Sequence, residues 1–294
     1  ILSMPKCAFL TMRDLSNFEC YDNQLVEPMS SNGWECYFIP WDKEKIDWNY
    51  FDLAIVRSTW DYQGRIKEFL KVLADIDSSN CILQNSLDLI KWNIDKTYLE
   101  ILHQKEIKIV PSLFFKKFST DKLINSFSYF STDKLIIKPC ISANADDTFI
   151  LKKDKYFDMR SQLKDLFNNR RFIIQPFIEN IITEGEYSLI FFKKKHSHTL
   201  LKKPKKNDFR VQEEHGGKLQ LITNTDKKML KFAKNIIDKL PNESLYSRID
   251  LVRNKRSYLL MEIELIEPSL YFNLNPEAAY TFSSIIDKNF IDGN

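Results

Sequence analysis

The chain has 294 residues, of which 44% are apolar and 28% are charged, and this composition argues against a disordered protein. The length favours two or more lobes over one small core. The 43 basic and 40 acidic side chains leave a net charge of +3, so no nucleic-acid or membrane partner is indicated. No apolar stretch approaches the length of a membrane span, and no secretory leader pattern is visible.

Glycine and cysteine exclude several kinds of site. The six glycines cannot be arranged as G-x-G-x-x-G or G-x-x-x-x-G-K-[ST], so a bound nucleotide would have to be held by another route. The five cysteines are odd in number and never spaced C-x-x-C. This usage is typical of reduced thiols in a cytoplasmic protein and not of a disulfide framework or a zinc site.

The first 90 residues alternate short apolar runs with helical patterns. Strands are predicted over 7–12, 36–39, 52–57 and 81–83, and helices over 21–32 and 66–76. Such alternation is typical of an open α/β sheet, in which ligands bind beyond the carboxyl ends of the strands. The segment RSTWDY, residues 57–62, leaves one such end. We therefore expect it to line a cleft, with Trp60 inside the cleft.

Beyond residue 85 the pattern changes. A helix is predicted from Ser86, its N-cap, to about Gln104. Short β-rich runs then dominate, with helices predicted over 120–129, 157–168 and 225–239. Two final strands, YSRIDLVRN and SYLLMEIEL, are joined by a turn near Asn254. The fold class is therefore α/β at the amino end and α+β at the carboxyl end.

The last two predicted strands carry the strongest chemical signal. Arg248 and Asp250 lie two residues apart and share one strand face, and Glu262 and Glu264 do the same on the next strand. Carboxylates brought close together repel and raise one another's pKa, and a hard divalent cation such as Mg²⁺ relieves this. The alternative is a solvated acidic sheet face with Arg248 as its counter-ion.

Two lysines lie among apolar neighbours. Lys138 is part of LIIKPC, a strand fit for burial, and Lys96 is part of KWNIDKTYLEIL. Such a lysine can extend its ammonium group to solvent without any function. With a carboxylate cluster downstream, the pair suits the neutralisation of phosphate groups instead.

A strand in RFIIQPFIENIITEGEYSLIFF ends near Gln175, and Glu184 and Glu186 follow on either side of a glycine. Free backbone groups in an extended segment can read the edge of an adenine, and a later carboxylate can accept hydrogen bonds from ribose hydroxyls. Taken alone the pattern is weak, because a strand, a loop with Glu and a second strand are common.

A long loop is predicted over residues 202–218, KKPKKNDFRVQEEHGGK. Its five lysines fit a solvated basic loop, whereas Arg210 and the Gly216-Gly217 pair fit a mobile flap over an anionic substrate. Just before it, His196 and His198 flank one residue of a strand. No further zinc ligands are suitably spaced, so we expect both to be polar surface.

In this order the signals resemble the ATP-grasp superfamily, in its glutathione-synthetase-like branch, and most of all the O-ureido-D-serine cyclo-ligases of cycloserine biosynthesis and their relatives. The resemblance covers roughly residues 35 to 285. The stretches that carry it are RSTWDY, NSLDLIKWNIDKTYL, LIIKPCISANADDT, IIQPFIENIITEGEYSLIFF, LKKPKKNDFRVQEEHGG, and YSRIDLV with LLMEIELIEPSLYF.

The resemblance implies an ATP-grasp fold with three parts: an amino-terminal open α/β (pre-ATP-grasp) lobe over residues 1–94, a central lid subdomain over 95–178, and a carboxyl-terminal antiparallel-sheet subdomain over 179–294. It also implies ATP as co-substrate and Mg²⁺, as two ions, as cofactor. A small amino-acid-like substrate and a homo-oligomer, dimer or tetramer, are implied as partners, with no nucleic acid and no membrane.

The resemblance further implies roles for individual residues. Phosphates would be bound by Lys96 and Lys138, with Ser142 and Asn144 as donors in the lid turn 141–147, where relatives carry glycines. The adenine and ribose would be bound by Gln175, Phe177 and Ile178 and by Glu186 or, as the weaker choice, Glu184. Magnesium would be bound by Asp250, Glu262 and Glu264. The transferring phosphoryl group would meet Arg248, and Arg210 would close over the intermediate. The substrate would meet Arg57, Ser58, Thr59, Asp61, Gly216 and Gly217.

The implied activity is ATP-dependent carboxylate–amine ligation through an acyl phosphate. Intramolecular cyclisation and ligation of two molecules both remain open. An alternative of another class is an ATP-binding protein without ligase activity, serving as a binding or regulatory module.

Overall fold

The computed structural model describes residues 4–142, 145–206 and 208–290. Its strands form three sheets: one parallel sheet near the amino end and two antiparallel sheets after it. Within the described ranges no helix has the length and apolarity that crossing a bilayer requires.

The first sheet is parallel and carries the strand order β2-β1-β3-β4. Its strands are β1 (Lys6–Thr11), β2 (Glu35–Pro40), β3 (Leu53–Ser58) and β4 (Ile82–Gln84), with helices α1 (Val26–Ser31) and α2 (Ile66–Asp77). Every residue of β3 is buried, which is typical of a central parallel strand covered on both faces. The predicted α/β organisation of this part of the chain is confirmed.

The single helix predicted from residue 86 to 104 is wrong, because two helices occupy this range. They are α3 (Leu87–Asn93), capped as predicted by the Ser86 hydroxyl, and α4 (Tyr98–Gln104). At the break, Asp95 accepts a hydrogen bond from the Thr97 N–H at 2.9 Å, and the Lys96 N–H donates to the Cys140 carbonyl at 2.9 Å. These local bonds replace the helical ones and direct Lys96 towards the second sheet.

The second sheet is antiparallel, with the order β5-β8-β6-β7. Its strands are β5 (Leu113–Phe115), β6 (Lys134–Pro139), β7 (Phe149–Lys152) and β8 (Phe172–Pro176), with helices α5 (Thr120–Tyr129) and α6 (Arg160–Phe167) on its apolar face. Leu135 and Ile137 of β6 point into this separate core, so the alternate residues Ile136 and Lys138 face the other side.

The third sheet is antiparallel, with the order β11-β10-β9-β12-β13. Its strands are β9 (Glu186–Phe192), β10 (Lys195–Lys203), β11 (Lys218–Ile222), β12 (Tyr246–Asn254) and β13 (Ser257–Glu264), with helices α7 (Asn180–Thr183), α8 (Lys227–Ile237) and α9 (Glu277–Phe290). Helix α9 was not predicted. Its Phe282 packs in one core with Phe9 of the first sheet and Phe192 of the third, which joins the two sheets.

The prediction that both histidines are polar surface is wrong for His198. A register shift between His196 and His198 in the β9–β10 pairing turns their side chains differently, and His198 is only 4% exposed. Its Nε2 lies 3.0 Å from the Leu270 carbonyl and therefore donates to it. Burial lowers the pKa of His198 to about 4.

The lowered pKa of His198 predicts that the folded protein loses stability in acid. Because the pKa of His198 is about 4 when folded against 6.5 in its ordinary state, the unfolded chain takes up the proton first as the pH falls. The stabilisation by neutral His198 is thus complete above pH 6.5 and lost towards pH 4, with a loss of about 2 kcal/mol at pH 5.

Urea unfolding at pH 7.5 and pH 5 checks this. The His198→Gln variant keeps a donor for Leu270, and its loss of unfolding free energy between the two pH values should be about 2 kcal/mol smaller than in the unchanged protein. The control is His103→Gln, at an exposed histidine of α4. Equal pH dependence in all three proteins would contradict the assignment.

Candidate active site

A cavity of about 210 Å³ lies where the three sheets meet. Its walls come from the loop after β3, from the break between α3 and α4, from β6 and β8, and from β12 and β13. The segment 209–214 covers it from the third sheet. A site shared by several elements in this way can hold a ligand whose parts differ in chemistry.

Two ammonium groups meet in this cavity. The Lys96 Nζ lies 2.9 Å from a carboxylate oxygen of Glu262 and donates to the Ser142 carbonyl at 2.8 Å. Lys138 also faces the cavity, yet in the described part of the chain its ammonium group has neither a hydrogen bond nor an ion pair. Burial lowers the pKa of Lys138, with nearby Lys96 adding to the effect against the pull of Glu262. An anionic ligand would relieve this uncompensated charge.

The turn after Lys138 is held without glycine. Ala145 and Asp147 have φ of 59° and 51°, in the left-handed region that usually favours glycine. Arg170 stabilises the turn: it pairs with Asp147 at 2.5 Å and donates to the Ile141 carbonyl at 3.0 Å. Of the two predicted donors, Ser142 lines the cavity and Asn144 lies outside the described residues.

The three residues predicted to contact adenine lie along one wall. The Gln175 side chain donates to the Ser112 hydroxyl at 2.8 Å, and the Phe177 N–H donates to the Lys134 carbonyl at 3.0 Å. Among the described residues, the Phe177 carbonyl and the Ile178 N–H have no hydrogen-bond partner. One acceptor and one donor are thus available on adjacent residues, beside the apolar wall that Ile136 and Met261 complete.

The charged residues of β12 and β13 lie opposite one another: Arg248 pairs in register with Glu264, and Asp250 with Glu262. Arg248 bridges them, pairing with Asp250 at 3.0 Å and with Glu264. Arg248 is thus the counter-ion that the alternative of a solvated acidic face expects, but Arg248 is 7% exposed and Asp250 3% exposed, so these two residues are not solvated.

The predicted metal site is only partly assembled. The described residues contain no group of three or more His, Cys, Asp or Glu side chains that could hold a metal ion. Asp250 is the member that departs from the prediction: it does not line the cavity, because Arg248, Lys202 at 3.7 Å and the Ser188 hydroxyl at 2.5 Å surround its carboxylate. Glu262 and Glu264 do line the cavity.

The two cavity carboxylates suit a cation. Burial raises the pKa of Glu264, Arg248 lowers it in part, and the neighbouring Asp250 and Glu262 raise it again. A buried carboxylate that other carboxylates surround is one that a divalent cation would stabilise in its ionised form. Glu262 and Glu264 therefore fit magnesium as two ligands, with room for phosphate oxygens on the cavity side.

Lys202 was missed as a site residue, because it was assigned to a basic loop. It belongs to β10 and is 2% exposed, and its Nζ lies 2.5 Å from a carboxylate oxygen of Glu186. Glu186 lines the cavity, whereas Glu184 does not; it is held by Arg253 and the Tyr187 hydroxyl, both at 2.6 Å. This placement favours Glu186 over Glu184 for contact with a ligand.

Residues 208–217, here called the flap, follow β10. Arg210 lines the cavity and pairs with Asp208 at 2.8 Å. The predicted substrate residues Gly216 and Gly217 do not line it. They shape the flap instead: Gly216 has φ of 81°, and a Cβ on Gly217 would lie 2.1 Å from the Val211 carbonyl oxygen.

A Gly217→Ala substitution should therefore open the flap. We expect trypsin to cleave the variant faster at Lys205 and Lys206, because the added methyl group cannot be accommodated against the Val211 backbone. Gly64→Ala is the matched control, since a Cβ there meets nothing within 4 Å. Cleavage of Gly217→Ala at the rate of the unchanged protein would contradict this account of the flap.

Comparisons with known proteins identify the architecture. Residues 7–85 match the family model of the D-cycloserine synthetase DcsG N-terminal domain. The chain is 24% identical to the cycloserine biosynthesis protein DcsG of Streptomyces lavendulae over 278 residues, which are 89% of this chain and 91% of that protein. The crystal structure of D-cycloserine synthetase DcsG superimposes with a TM-score of 0.85 at 21% identity, over 97% of this chain and 99% of that chain.

Two further structures agree. A D-alanine–D-alanine ligase from Bacillus anthracis complexed with ATP gives a TM-score of 0.66 at 14% identity, with 98% of each chain covered. A RimK domain ATP-grasp protein from Sphaerobacter thermophilus gives 0.70 at 12% identity, over 96% of this chain and 98% of that chain. The chain has the ATP-grasp fold. The predicted fold and the resemblance on which it rested are confirmed.

In this fold the segment RSTWDY lies differently from what was expected. None of the four predicted substrate residues lines the cavity. Arg57 is 1% exposed and pairs with Asp22 at 2.9 Å, because β3 is buried on both faces. Ser58 and Thr59 are also buried, and exposed Asp61 accepts a hydrogen bond from Trp41 at 2.7 Å.

Trp60 and Tyr62 of the same segment do face the ATP-grasp cavity, so the predicted cleft position of Trp60 is confirmed. Tyr62 was missed, as were Glu267 and Tyr271 from the segment after β13. One signal in the sequence could have found Tyr62. If side chains continue to alternate beyond the end of β3, residues 60 and 62 face the cavity and residues 59 and 61 face away from it.

Proposed function

We propose that the protein is an ATP-dependent carboxylate–amine ligase that acts on a small amino-acid-like molecule through an acyl phosphate. The observation that carries the proposal is the unpartnered Lys138 ammonium group, which faces the cavity together with the Lys96–Glu262 pair. The similarity to a cycloserine biosynthesis protein and to D-alanine–D-alanine ligase supports it.

In this proposal ATP binds in a single orientation, with its adenine at Phe177 and Ile178 and its phosphates at the two lysines. The Ile178 N–H can donate to adenine N1 and the Phe177 carbonyl can accept from the adenine amino group, since both backbone groups are free in the described structure. Glu186 can accept from the ribose hydroxyls beside Lys202. Lys138 and Lys96 would then neutralise the α- and β-phosphates, and Arg248 the γ-phosphoryl group during its transfer.

Magnesium would be held by Glu262 and Glu264, with Asp250 behind them orienting Arg248. The chemistry that a bound magnesium ion would supply at these carboxylates is the neutralisation of phosphate charge. In our proposal, ion binding would also release Lys96 from Glu262 for contact with the nucleotide.

The chemistry needs no nucleophilic side chain. The γ-phosphoryl group of ATP passes to the substrate carboxylate and gives ADP and an acyl phosphate. The amine nitrogen then attacks the acyl carbon, the C–N bond forms, and phosphate and a proton leave. Arg248 and the lysines contribute by placing positive charge where negative charge develops. The flap with Arg210 would exclude water, which would otherwise hydrolyse the acyl phosphate.

A hydroxylamine trap tests the proposal. The protein would be incubated with Mg–ATP, hydroxylamine and single or paired amino acids, O-ureido-D-serine among them, and ADP and hydroxamate would be measured. We expect stoichiometric ADP and hydroxamate with at least one substrate. If Mg–ATP binds but no substrate yields ADP, the protein is instead the ATP-binding module without ligase activity.

The same assay without hydroxylamine separates cyclisation from ligation. Similarity to D-cycloserine synthetase favours cyclisation, in which one substrate alone yields product. Product formation only with paired amino acids would establish ligation of two molecules. The lid turn 141–147 has no glycine, but Arg170 holds it through Asp147 and the Ile141 carbonyl. This turn is compatible with either reaction.

A further inference from the structure

One cavity carboxylate differs from its neighbours. Within the described residues three other cavity acids are paired with cations, Glu262 with Lys96, Glu264 with Arg248 and Glu186 with Lys202, and Glu213 accepts a hydrogen bond from the Tyr21 hydroxyl at 3.3 Å. Glu267, in the segment after β13, lines the same cavity and has no ion pair in that part of the chain.

Glu267 is nevertheless held firmly. Its carbonyl accepts a hydrogen bond from the Trp60 indole N–H at 2.8 Å, and the Tyr62 hydroxyl lies near enough to its carboxylate to lower the pKa of Glu267. The Tyr62 ring is fixed in turn by stacking on Phe69, with ring centroids 4.2 Å apart. Two residues from the segment after β3 thus hold Glu267, in the segment after β13, at the cavity.

Lys96 is the cation near Glu267, but it forms its ion pair with Glu262 and not with Glu267. Burial raises the pKa of Glu267 to about 7, although the Tyr62 hydroxyl and the charge of Lys96 lower it in part. The negative charge of Glu262 raises the pKa of Glu267 further, and Glu19 and Glu213 also line the cavity. Glu267 is half-buried and held in place, and among the described residues no ion pair neutralises it, so it is suited to a cationic group supplied by a ligand.

We propose that Glu267, with the Tyr62 hydroxyl and the Trp60 ring beside it, forms the subsite for the primary ammonium group of the substrate. This inference rests on the proposed function and specifies its substrate class as carboxylic acids that carry a free amino group. The ammonium group donates to Glu267, and the indole face of Trp60 offers a further cation contact.

The position of the subsite agrees with the reaction. Glu267 follows Glu264 by three residues, which limits the separation of their Cα atoms to about 11 Å. A small amino acid can therefore place its ammonium group on Glu267 and its carboxylate near Arg248. The ammonium group would orient the carboxylate for phosphoryl transfer.

Binding to the nucleotide-loaded protein tests the subsite independently of turnover. Calorimetric titrations with Mg and a non-hydrolysable ATP analogue would compare O-ureido-D-serine and D-serine with their des-amino counterparts. We expect the unchanged protein to bind the amino compounds at least 10-fold more tightly, and Glu267→Gln to lose this preference while its nucleotide affinity is unchanged. Tyr62→Phe should reduce the preference by a smaller factor.

Glu100→Gln, at an exposed glutamate of α4, is the control for the same chemical change away from the cavity. If Glu267→Gln keeps the preference of the unchanged protein, or if the unchanged protein shows none, the subsite assignment is overturned. A preference that depends on Glu267 without any ADP release would support the subsite and contradict the ligase activity, so the two failures are distinguishable.

Discussion

The Lys138→Ala variant is expected to bind Mg–ATP about 30- to 150-fold more weakly than the unchanged protein, which corresponds to about 2–3 kcal/mol. The reason is that Lys138 faces the cavity with no partner in the described part of the chain, so its charge is available to a phosphate group. Because Lys138 is half-buried and its ammonium group forms no ion pair in that part of the chain, its removal should not lower the stability of the free protein. Calorimetric titration with Mg–ATP and thermal unfolding measure the two effects.

Lys152→Ala is the matched control. Lys152 lies on the neighbouring strand β7 and is exposed, so its removal should leave the affinity for Mg–ATP unchanged. Equal affinity of Lys138→Ala and the unchanged protein would contradict the assignment of Lys138 to the phosphates. A decrease in affinity for both variants would indicate a general effect of surface charge.

Lys202→Ala should be the most destabilising of the substitutions considered. Lys202 is 2% exposed and lies 2.5 Å from Glu186 and 3.7 Å from Asp250. Its loss leaves buried carboxylates without their cation, and breaking such a pair costs about 3–5 kcal/mol. Urea unfolding at neutral pH would show the decrease in unfolding free energy.

The neighbouring Lys203 provides the control, because it is exposed at the end of the same strand. Lys203→Ala should change the unfolding free energy by no more than about 0.5 kcal/mol. The double variant Lys202→Met with Glu186→Gln should recover part of the lost stability, since it removes a buried charge together with its partner. A loss of less than 1 kcal/mol in Lys202→Ala would contradict the proposed ion network.

The parts of the site that could be predicted from the sequence depend on local strand geometry. Arg248, Glu262 and Glu264 lie on one sheet face because side chains alternate along a strand, and Lys138 was found because an isolated lysine interrupts an apolar strand. The strands of the first lobe were predicted for the same reason.

The predictions that were wrong concern residues whose positions depend on packing between distant segments of the chain. Arg57 lies near the carboxyl end of β3, but it is buried and pairs with Asp22, from the segment before α1, and does not line the cavity. Lys202 resembled its basic neighbours in the loop, and only the pairing of β10 with β9 shows that it is buried. Asp250 was expected to face a metal ion, yet Ser188 on the adjacent strand and Lys202 enclose it.

The most direct measurement is a calorimetric titration of the unchanged protein with a non-hydrolysable ATP analogue, in the presence of magnesium and again with the metal chelated. We expect one nucleotide per chain, bound at least 10-fold more tightly with magnesium, because Glu262 and Glu264 can hold the ion only together with the phosphates. Absence of nucleotide binding, or an affinity that is the same with and without magnesium, would contradict the account.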